Sequence, residues 1–271
     1  ISGMIQMAWM DTVENTPTLI QLRDQLCHDT SWKIEVALDT KKNMPKSVQA
    51  AFVNFLNAPE EKTRPSIQIT AGSYFSNLYS DSIERFLSKT SFKLYDIVEG
   101  KNTDIFLIFP PDKLESHSHL LRLILLTLFK AILSRNKPVK QKTLFILDEC
   151  ASLGKFPLLE SMISLSRGYG VIIQTIWQDL SQIKKHYPTT YLSFLNNSGM
   201  WQFFGKIKYN LAREISLLTG INATEIMNLD QDEQILYLDN ILYKRASRIN
   251  YLKDKEFKNK FAKNPFYDFG I

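Results

Sequence analysis

Residues Thr143–Glu149 read TLFILDE and give the clearest indication of the fold. Five residues that favour strands run without interruption into two acids, Asp148 and Glu149. A second run of the same kind, Val171–Trp177 (VIIQTIW), follows after a segment with a helical pattern. Short continuous apolar runs joined by helical segments predict βαβ units and a parallel sheet that is buried on both faces.

Two more runs extend the predicted sheet on either side. Asp104–Phe109 (DIFLIF) is closed by Pro110-Pro111, and Met200–Gly205 (MWQFFG) is a weaker fourth strand. Helical patterns separate the four runs, over 118–134, 156–167 and 180–197. We therefore predict an α/β fold.

The end of the chain carries a different pattern. After a predicted helix over 209–219, Ile235–Leu238 and Ile241–Tyr243 flank Asp239-Asn240. Two short apolar runs around an Asp-Asn pair predict an antiparallel hairpin, which we expect on the edge of the sheet.

The first part of the chain is predicted to be helical. Apolar residues recur at helical spacing over 17–58, interrupted by a loop at Lys41–Pro45, and one further helix is expected over 66–89. The prolines within Ala58–Pro65 predict a boundary there.

Composition excludes several classes of protein. With 271 residues, 44% apolar and 23% charged, the chain is neither disordered nor collagen-like, and two cysteines do not make a disulfide scaffold. The apolar run Leu120–Leu133 is shorter than the roughly 20 residues that a bilayer requires, and it contains two cations. We therefore interpret it as a buried helix.

The net charge of +5 belongs to one segment. Lys244–Lys263 holds eight basic and two acidic residues, a net charge of +6. Tyr251, Phe257 and Phe261 lie between the cations, a pattern that suits nucleic-acid contact. The alternative is a solvated polar terminus.

The two acids after the first strand are the strongest candidates for chemistry. Ligands of open α/β sheets sit at the carboxyl ends of the strands. There Asp148 could hold Mg²⁺ through its waters, and Glu149 could act as a base on an attacking water. The alternative is a strand that ends in two solvated acids.

Gln178 follows the next strand, so it should lie beside Asp148, where an amide could sense a γ-phosphate or position water. The alternative for Gln178 is a residue in the turn before a helix.

Two other sites are open to alternatives. Arg167 could be a surface cation that satisfies helix carbonyls, or an arginine finger that reaches the nucleotide of a neighbouring subunit. His117 and His119 could bind a metal, but no further His or Cys has ligand spacing, which favours a solvated helix start.

At this point the sequence resembles a known family. LFILDECASLGKFPLLESMISLSRGYGVIIQTIWQDLSQI, residues 144–183, resembles the Walker B region of the TraG/TraD-type coupling proteins of type IV secretion systems. The combination of DE-x-A-S-L-G, R-G-Y-G and Q-x-x-S-Q is specific as a set. Such proteins are hexameric, membrane-anchored ATPases of RecA-like fold. They deliver DNA–relaxase complexes or protein effectors to the channel of the secretion system.

The resemblance implies roles for the candidate residues. Asp148 matches the metal-associated aspartate, Glu149 the catalytic glutamate, Gln178 the sensor after the next strand, and Arg167 the arginine that acts in trans. ATP and Mg²⁺ are the implied cofactors. Cys150 stands where phenylalanine is usual, and we expect no redox role for it.

The resemblance also implies an organisation. Residues 1–62 would be part of an all-α, substrate-facing domain that is inserted in the nucleotide domain. Residues 63–249 would be the Walker B half of the RecA-like domain, and 250–271 a basic tail. The expected location is the cytoplasmic face of the bacterial inner membrane, with the anchor outside this chain.

The sequence departs from the family at the P-loop. G-x-x-x-x-G-K-[ST] is absent, since Gly100-Lys101-Asn102 and Gly154-Lys155-Phe156 lack both the first glycine and the Ser/Thr. We therefore expect an incomplete RecA-like P-loop NTPase sheet, without the P-loop strand, in the C-terminal portion of a coupling protein. On this interpretation the chain alone does not hydrolyse ATP. The alternative is a non-catalytic module that recruits substrates or assists assembly.

Overall fold

The computed structural model describes residues 18–27, 30–40, 44–75, 78–238 and 242–262. The chain divides into two compact units, Ile1–Leu94 and Tyr95–Ile271. This division lies beyond the boundary predicted at 62/63. It concerns compactness alone, so the assignment of 1–62, 63–249 and 250–271 stays a prediction.

The described residues of the first unit form five helices and no strand. The bounds of these helices are α1 Leu19–Cys27, α2 Thr30–Thr40, α3 Lys46–Leu56, α4 Thr63–Phe75 and α5 Asp81–Leu87. The prediction of helix over 17–58 is confirmed for α1 to α3, and Lys41–Asn43 of the predicted loop lie outside the described residues. The single helix expected over 66–89 is wrong, because Ser80 caps α5 and accepts a hydrogen bond from the Ile83 N–H at 3.3 Å.

A buried arginine ties two of these helices together. Arg23 on α1 is only 5% exposed. Its Nη1 donates to the Leu78 carbonyl at 2.8 Å and to Glu84 Oε1 on α5 at 2.7 Å. Apolar side chains of α2 and α3, among them Ile34, Val48 and Phe52, form a separate buried cluster.

The second unit alternates helices with strands. Its helices are α6 Leu94–Val98, which begins at the last residue of the first unit, α7 Ser118–Leu133, α8 Pro157–Leu165, α9 Leu180–His186, α10 Tyr191–Asn196, α11 Tyr209–Thr219 and α12 Ala223–Met227. Its strands are β1 Thr143–Leu147, β2 Val171–Thr175, β3 Met200–Phe204, β4 Glu233–Leu238 and β5 Leu242–Ser247. None of the helices in the described ranges is long and apolar enough to cross a membrane.

The predicted βαβ unit is confirmed. β1 and β2 pair in parallel, with Thr143 opposite Val171 and Leu147 opposite Thr175, and α8 forms the crossover between them. Phe145 and Leu147 are buried on one face. The opposite face is not buried as predicted: Ile146, for example, is 58% exposed, because no described element covers it.

Two of the four predicted strands behave differently. Asp104–Phe109 is not a strand, and Phe106 and Ile108 are 82% and 87% exposed, because no described strand is hydrogen-bonded to this segment. Met200–Phe204 is a strand, but it pairs antiparallel with β4 in a second sheet of order β3-β4-β5. An apolar run therefore identified β3 without identifying its partner.

The terminal hairpin is confirmed as the antiparallel pair β4–β5, with Leu238 opposite Leu242. It belongs to the sheet of β3 rather than to the edge of the parallel pair, and residues 239–241 of its turn lie outside the described residues.

The single helix predicted over 180–197 is interrupted. α9 ends before Tyr187-Pro188, because proline removes a backbone donor and disfavours helix in the residue before it.

Gly205, directly after β3, is a position where only glycine fits. A Cβ there would lie 1.8 Å from the Asp230 carbonyl oxygen, and the Gly205 N–H bonds to the Glu233 carbonyl at 3.0 Å. We expect Gly205→Ala to lower the free energy of unfolding by roughly 3 kcal/mol, because backbone must move to make room. Urea denaturation measures this.

Gly168→Ala is the matched control for this prediction. A Cβ at Gly168 would have nothing within 4 Å, so its effect should stay within about 0.5 kcal/mol. Equal stability of the two variants would contradict the close approach at Gly205.

Candidate active site

The turn after β1 is attached to the end of β2 by two backbone hydrogen bonds. The Ile176 N–H donates to the Leu147 carbonyl at 3.0 Å, and the Cys150 N–H donates to the Ile176 carbonyl at 3.0 Å. Glu149 lies between these bonds in the left-handed region, with φ 48° and ψ 50°, which residues other than glycine seldom occupy. The two acids therefore sit in a tight turn at the carboxyl edge of the parallel strands.

The carboxylate of Glu149 is held by Gln178. Gln178 Nε2 donates to Glu149 Oε2 at 3.2 Å and approaches Oε1 at 3.4 Å. The Asp148 Oδ1 accepts from the Glu149 N–H at 3.0 Å. The three residues thus lie at one edge of the parallel strands, but the Gln178 amide bonds to Glu149 rather than to Asp148, the acid beside which the sequence predicts it.

The segment after the acids is fixed by burial and by side-chain hydrogen bonds to its backbone. Cys150 is 1% exposed, and burial raises the pKa of its thiol to about 12. The buried environment suits a position where phenylalanine is usual in the family. The hydroxyl of the buried Tyr187 lies 3.3 Å from both the N–H and the carbonyl oxygen of Phe156, and burial raises the pKa of Tyr187 to about 12. Arg122 on α7 donates to the Lys155 carbonyl at 3.0 Å.

The segment that carries Gln178 is fixed by a helix cap. Asp179 precedes α9, and its Oδ1 accepts from the Ser181 hydroxyl at 2.5 Å and from the Gln182 N–H at 3.1 Å. These bonds, that of Ser181 foremost, hold the pKa of Asp179 below its usual value. The Oε1 of Gln182 accepts from the Gln178 N–H at 3.0 Å.

Arg167 is not part of this cluster. It lies in the 3-10 turn Ser166–Tyr169, which precedes β2, and its side chain is exposed. A strand of five residues, about 16 Å long, separates this turn from the carboxyl edge. A contribution of Arg167 to nucleotide chemistry would therefore have to be made to another subunit.

One arginine that the sequence reasoning missed joins three segments of this unit. Arg135 donates to the carbonyls of Ile97 and Val98 at 2.7 and 3.0 Å, to the Tyr169 carbonyl at 2.9 Å and to the Thr143 hydroxyl at 2.8 Å. Burial lowers the pKa of Arg135. A single arginine after a helix carries no signal in a sequence that would reveal these partners.

The two histidines have different neighbours. His117 Nδ1 lies 2.8 Å from the Ser116 hydroxyl, whereas His119 Nδ1 lies 2.7 Å from Arg122 Nη2. No group of three His, Cys, Asp or Glu in the described ranges could hold a metal ion.

The two Gly-Lys pairs do not form a phosphate cradle. Gly100, with φ +68°, ends α6, and Lys101 pairs with Asp96 at 2.6 Å. Gly154 ends the 3-10 turn Cys150–Leu153, and the carbonyl of Lys155 is bound by Arg122.

The donor set at the carboxyl edge fits a hydrated Mg²⁺. Asp148 and Glu149 are exposed carboxylates, and carboxylate oxygens are the ligands that Mg²⁺ takes, usually with several waters. Among the described residues, only one carboxylate oxygen of Asp148 accepts a hydrogen bond, from the N–H of Glu149, whereas the Glu149 carboxylate accepts a hydrogen bond from the Gln178 side chain. Asp148 is therefore the residue better placed to bind the waters of a metal.

Comparison with known proteins identifies the family of this chain. The sequence model of the family described as type IV secretory system conjugative DNA transfer matches residues 7–225. The conjugal transfer protein TraG of Rhizobium radiobacter is 35% identical over 124 residues, which are 42% of this chain and 19% of that protein. The coupling protein VirD4 of Bartonella quintana (strain Toulouse) is 25% identical over 282 residues, covering 83% of this chain and 44% of that protein. The chain thus spans less than half the length of either relative.

Solved structures of the conjugative coupling protein TrwB share the fold. Unbound TrwBdeltaN70 superposes with a TM-score of 0.67 at 15% identity, covering 90% of this chain and 62% of that one. TrwB in complex with ADP and Mg²⁺ gives 0.63 at 13% identity, covering 90% and 61%.

The fold is accordingly a partial RecA-like α/β fold, which confirms the predicted fold class. With its match over residues 7–225, the chain belongs to the type IV secretory system conjugative DNA transfer family, whose members are the coupling proteins. The resemblance found in the sequence is confirmed.

Proposed function

We propose that this chain is the C-terminal, Walker B part of a coupling protein whose ATPase motor delivers DNA–relaxase complexes or protein effectors to a type IV secretion channel. The hydrogen bond from Gln178 to the carboxylate of Glu149 at 3.2 Å carries the proposal. It supports the proposal because it links the two strand ends at which a RecA-like protein performs its chemistry.

Each residue at this edge has a proposed task. Asp148 would hold the waters of Mg²⁺, and the metal would neutralise the charge that develops on the ATP phosphates. Glu149 accepts a proton from the attacking water and orients it. Gln178 fixes the Glu149 carboxylate and offers its amide to the γ-phosphate. Since the P-loop motif is absent from these 271 residues, the cradle for the phosphates has to come from another part of the protein.

The proposed setting follows the same family. Residues 1–62 would belong to the substrate-facing all-α domain, 63–249 to the nucleotide domain, and 250–271 to a tail. Six copies would form a ring at the cytoplasmic face of the inner membrane, anchored outside this chain. In that ring Arg167, which is exposed and remote from its own acids, would act on the nucleotide of the adjacent copy.

The runner-up is a recruiting or assembly module without catalysis, and the Asp148→Asn variant of the complete protein separates the two functions. A motor that needs Mg²⁺ at this edge should lose transfer of its cargo by about 10²-fold or more. A recruiting module should transfer normally, since Asp148 contacts only the neighbouring N–H among the described residues. Mating or secretion frequency measures the outcome, with Asp112→Asn on an exposed turn as the control.

We further propose that the basic segment Lys244–Lys263 contacts nucleic acid. Arg245 in β5 is paired with Glu233, and the guanidinium of Arg248 lies 5.2 Å from the centre of the Phe204 ring. The rings of Tyr251 and Phe261 meet edge to face at 5.1 Å, and both are partly exposed. Exposed aromatic rings among cations support single-strand binding, in which bases stack and phosphates are neutralised.

Four lysines of the tail test this contact. Lys253, Lys255, Lys258 and Lys260 are exposed and form no ion pair with another described residue. Changing all four to Gln should weaken single-stranded DNA binding and make the plot of log K against log salt shallower by about 3, at roughly 0.7 for each lost phosphate contact. The control changes the exposed Lys137, Lys140 and Lys142 to Gln. A slope equal to that of the wild type would contradict the contact.

A further inference from the structure

The start of α9 departs from the usual helix cap in one respect. Asp179 is the N-cap residue, and Gln182 is the third residue of the helix. In a standard capping box the side chain of that third residue accepts a hydrogen bond from the N–H of the cap residue itself. Here Gln182 Oε1 accepts instead from the N–H of Gln178, one residue earlier, at 3.0 Å.

This shift connects Gln182 to the site. The main-chain N–H of Gln178 donates to Gln182 Oε1, and its side-chain amide donates to the Glu149 carboxylate at 3.2 Å. Among the described residues, the Asp179 carboxylate accepts hydrogen bonds only from Ser181 and Gln182, so the cap orders the helix without a side-chain hydrogen bond to Gln178. The orientation of Gln178 toward Glu149 thus depends on a bond that Gln182 alone supplies among the described residues.

The helix that carries Gln182 is packed against the rest of this unit. Leu180 and Ile183 on either side of it are buried, and Lys184 pairs with Glu214 on α11 at 2.7 Å. The backbone of Gln182 is therefore fixed by packing, and its side chain transfers that position to Gln178. Small displacements of groups that orient a reacting water are costly to the rate, by as much as 10²-fold for 1 Å.

We propose that Gln182 is a positioning residue for hydrolysis, which acts by holding Gln178 against Glu149. The inference rests on the proposed function, since it assigns Gln182 a part in the same site. It requires an acceptor oxygen at position 182 and no particular charge there.

Two variants of nearly equal size test the acceptor. In the complete protein, Gln182→Met removes the oxygen, and kcat for ATP hydrolysis should fall roughly 10-fold or more while KM changes less than about twofold. Gln182→Glu keeps an oxygen in the same place and should restore kcat to within about threefold. Lys185→Met, at an exposed position of the same helix, is the control for a general effect on α9.

A double variant separates positioning from folding. If Gln182 acts through Gln178, then Gln178→Ala with Gln182→Met should be no slower than Gln178→Ala alone. Normal kcat in Gln182→Met together with a slow Gln178→Ala would overturn this inference and leave the proposed function intact. Normal kcat in Gln178→Ala as well would overturn the assigned role of Gln178. An equal loss of kcat in Gln182→Met and Gln182→Glu would also overturn the inference.

Discussion

The Glu149→Gln variant of the complete protein is expected to bind ATP as tightly as the wild type and to hydrolyse it 10² to 10⁴ times more slowly. The physical reason is that an amide has nearly the size of a carboxylate but cannot take a proton from water. Glu149 is exposed, and Gln178 is the one described residue to which its side chain is hydrogen-bonded, so the substitution should not disturb the fold. Steady-state phosphate release and nucleotide binding by fluorescence measure the two quantities.

The control for this prediction is Glu115→Gln, at an exposed position outside the site. It should hydrolyse ATP at the normal rate. Hydrolysis by Glu149→Gln above about a tenth of the wild-type rate would rule out Glu149 as the base, and a loss of ATP binding would show a role in the ground state instead.

The second large effect is expected at Arg167. Arginine fingers that act in trans contribute roughly 10³ to 10⁵ in kcat, so Arg167→Ala should lose nearly all hydrolysis. Because Arg167 lies at the end of β2 remote from Glu149, its loss should leave the arrangement of its own subunit's acids unchanged. Arg213→Ala, an exposed arginine on α11, should retain full activity.

Mixing two inactive variants tests action in trans. In the proposed ring, a mixture of Glu149→Gln and Arg167→Ala subunits would create some interfaces at which an intact Glu149 faces an intact Arg167. Hydrolysis should therefore reappear on mixing, although neither variant is active alone. If activity stays absent at all ratios while mixed rings form, Arg167 does not act on the neighbouring subunit.

The sequence indicated that Asp148, Glu149 and Gln178 lie at one edge of the parallel strands, but it did not indicate how every apolar run pairs. The acids of the site follow a strand that its own apolar run identifies, and Gln178 follows the next one, so parallel pairing alone brings them to one edge. In contrast, the apolar run at Asp104–Phe109 is not hydrogen-bonded as a strand. An apolar run indicates that a segment could form a strand, but it does not indicate which other strand will pair with it. For the same reason Met200–Phe204 was assigned to the wrong sheet.

The residues that support the site were beyond sequence reasoning. Arg135 bonds to segments that lie 34 to 38 residues away along the chain, and Arg122 bonds to one 33 residues away. Such partners are set by tertiary packing. The left-handed conformation of Glu149 was likewise unpredictable, because no glycine or asparagine marks the turn.

The most direct test is a structure of the complete Glu149→Gln protein with ATP and Mg²⁺. We expect nucleotide at the carboxyl edge of β1 and β2, with the metal's waters on Asp148 and the γ-phosphate facing residues 149 and 178. Nucleotide bound elsewhere, with these three side chains in solvent, would contradict it.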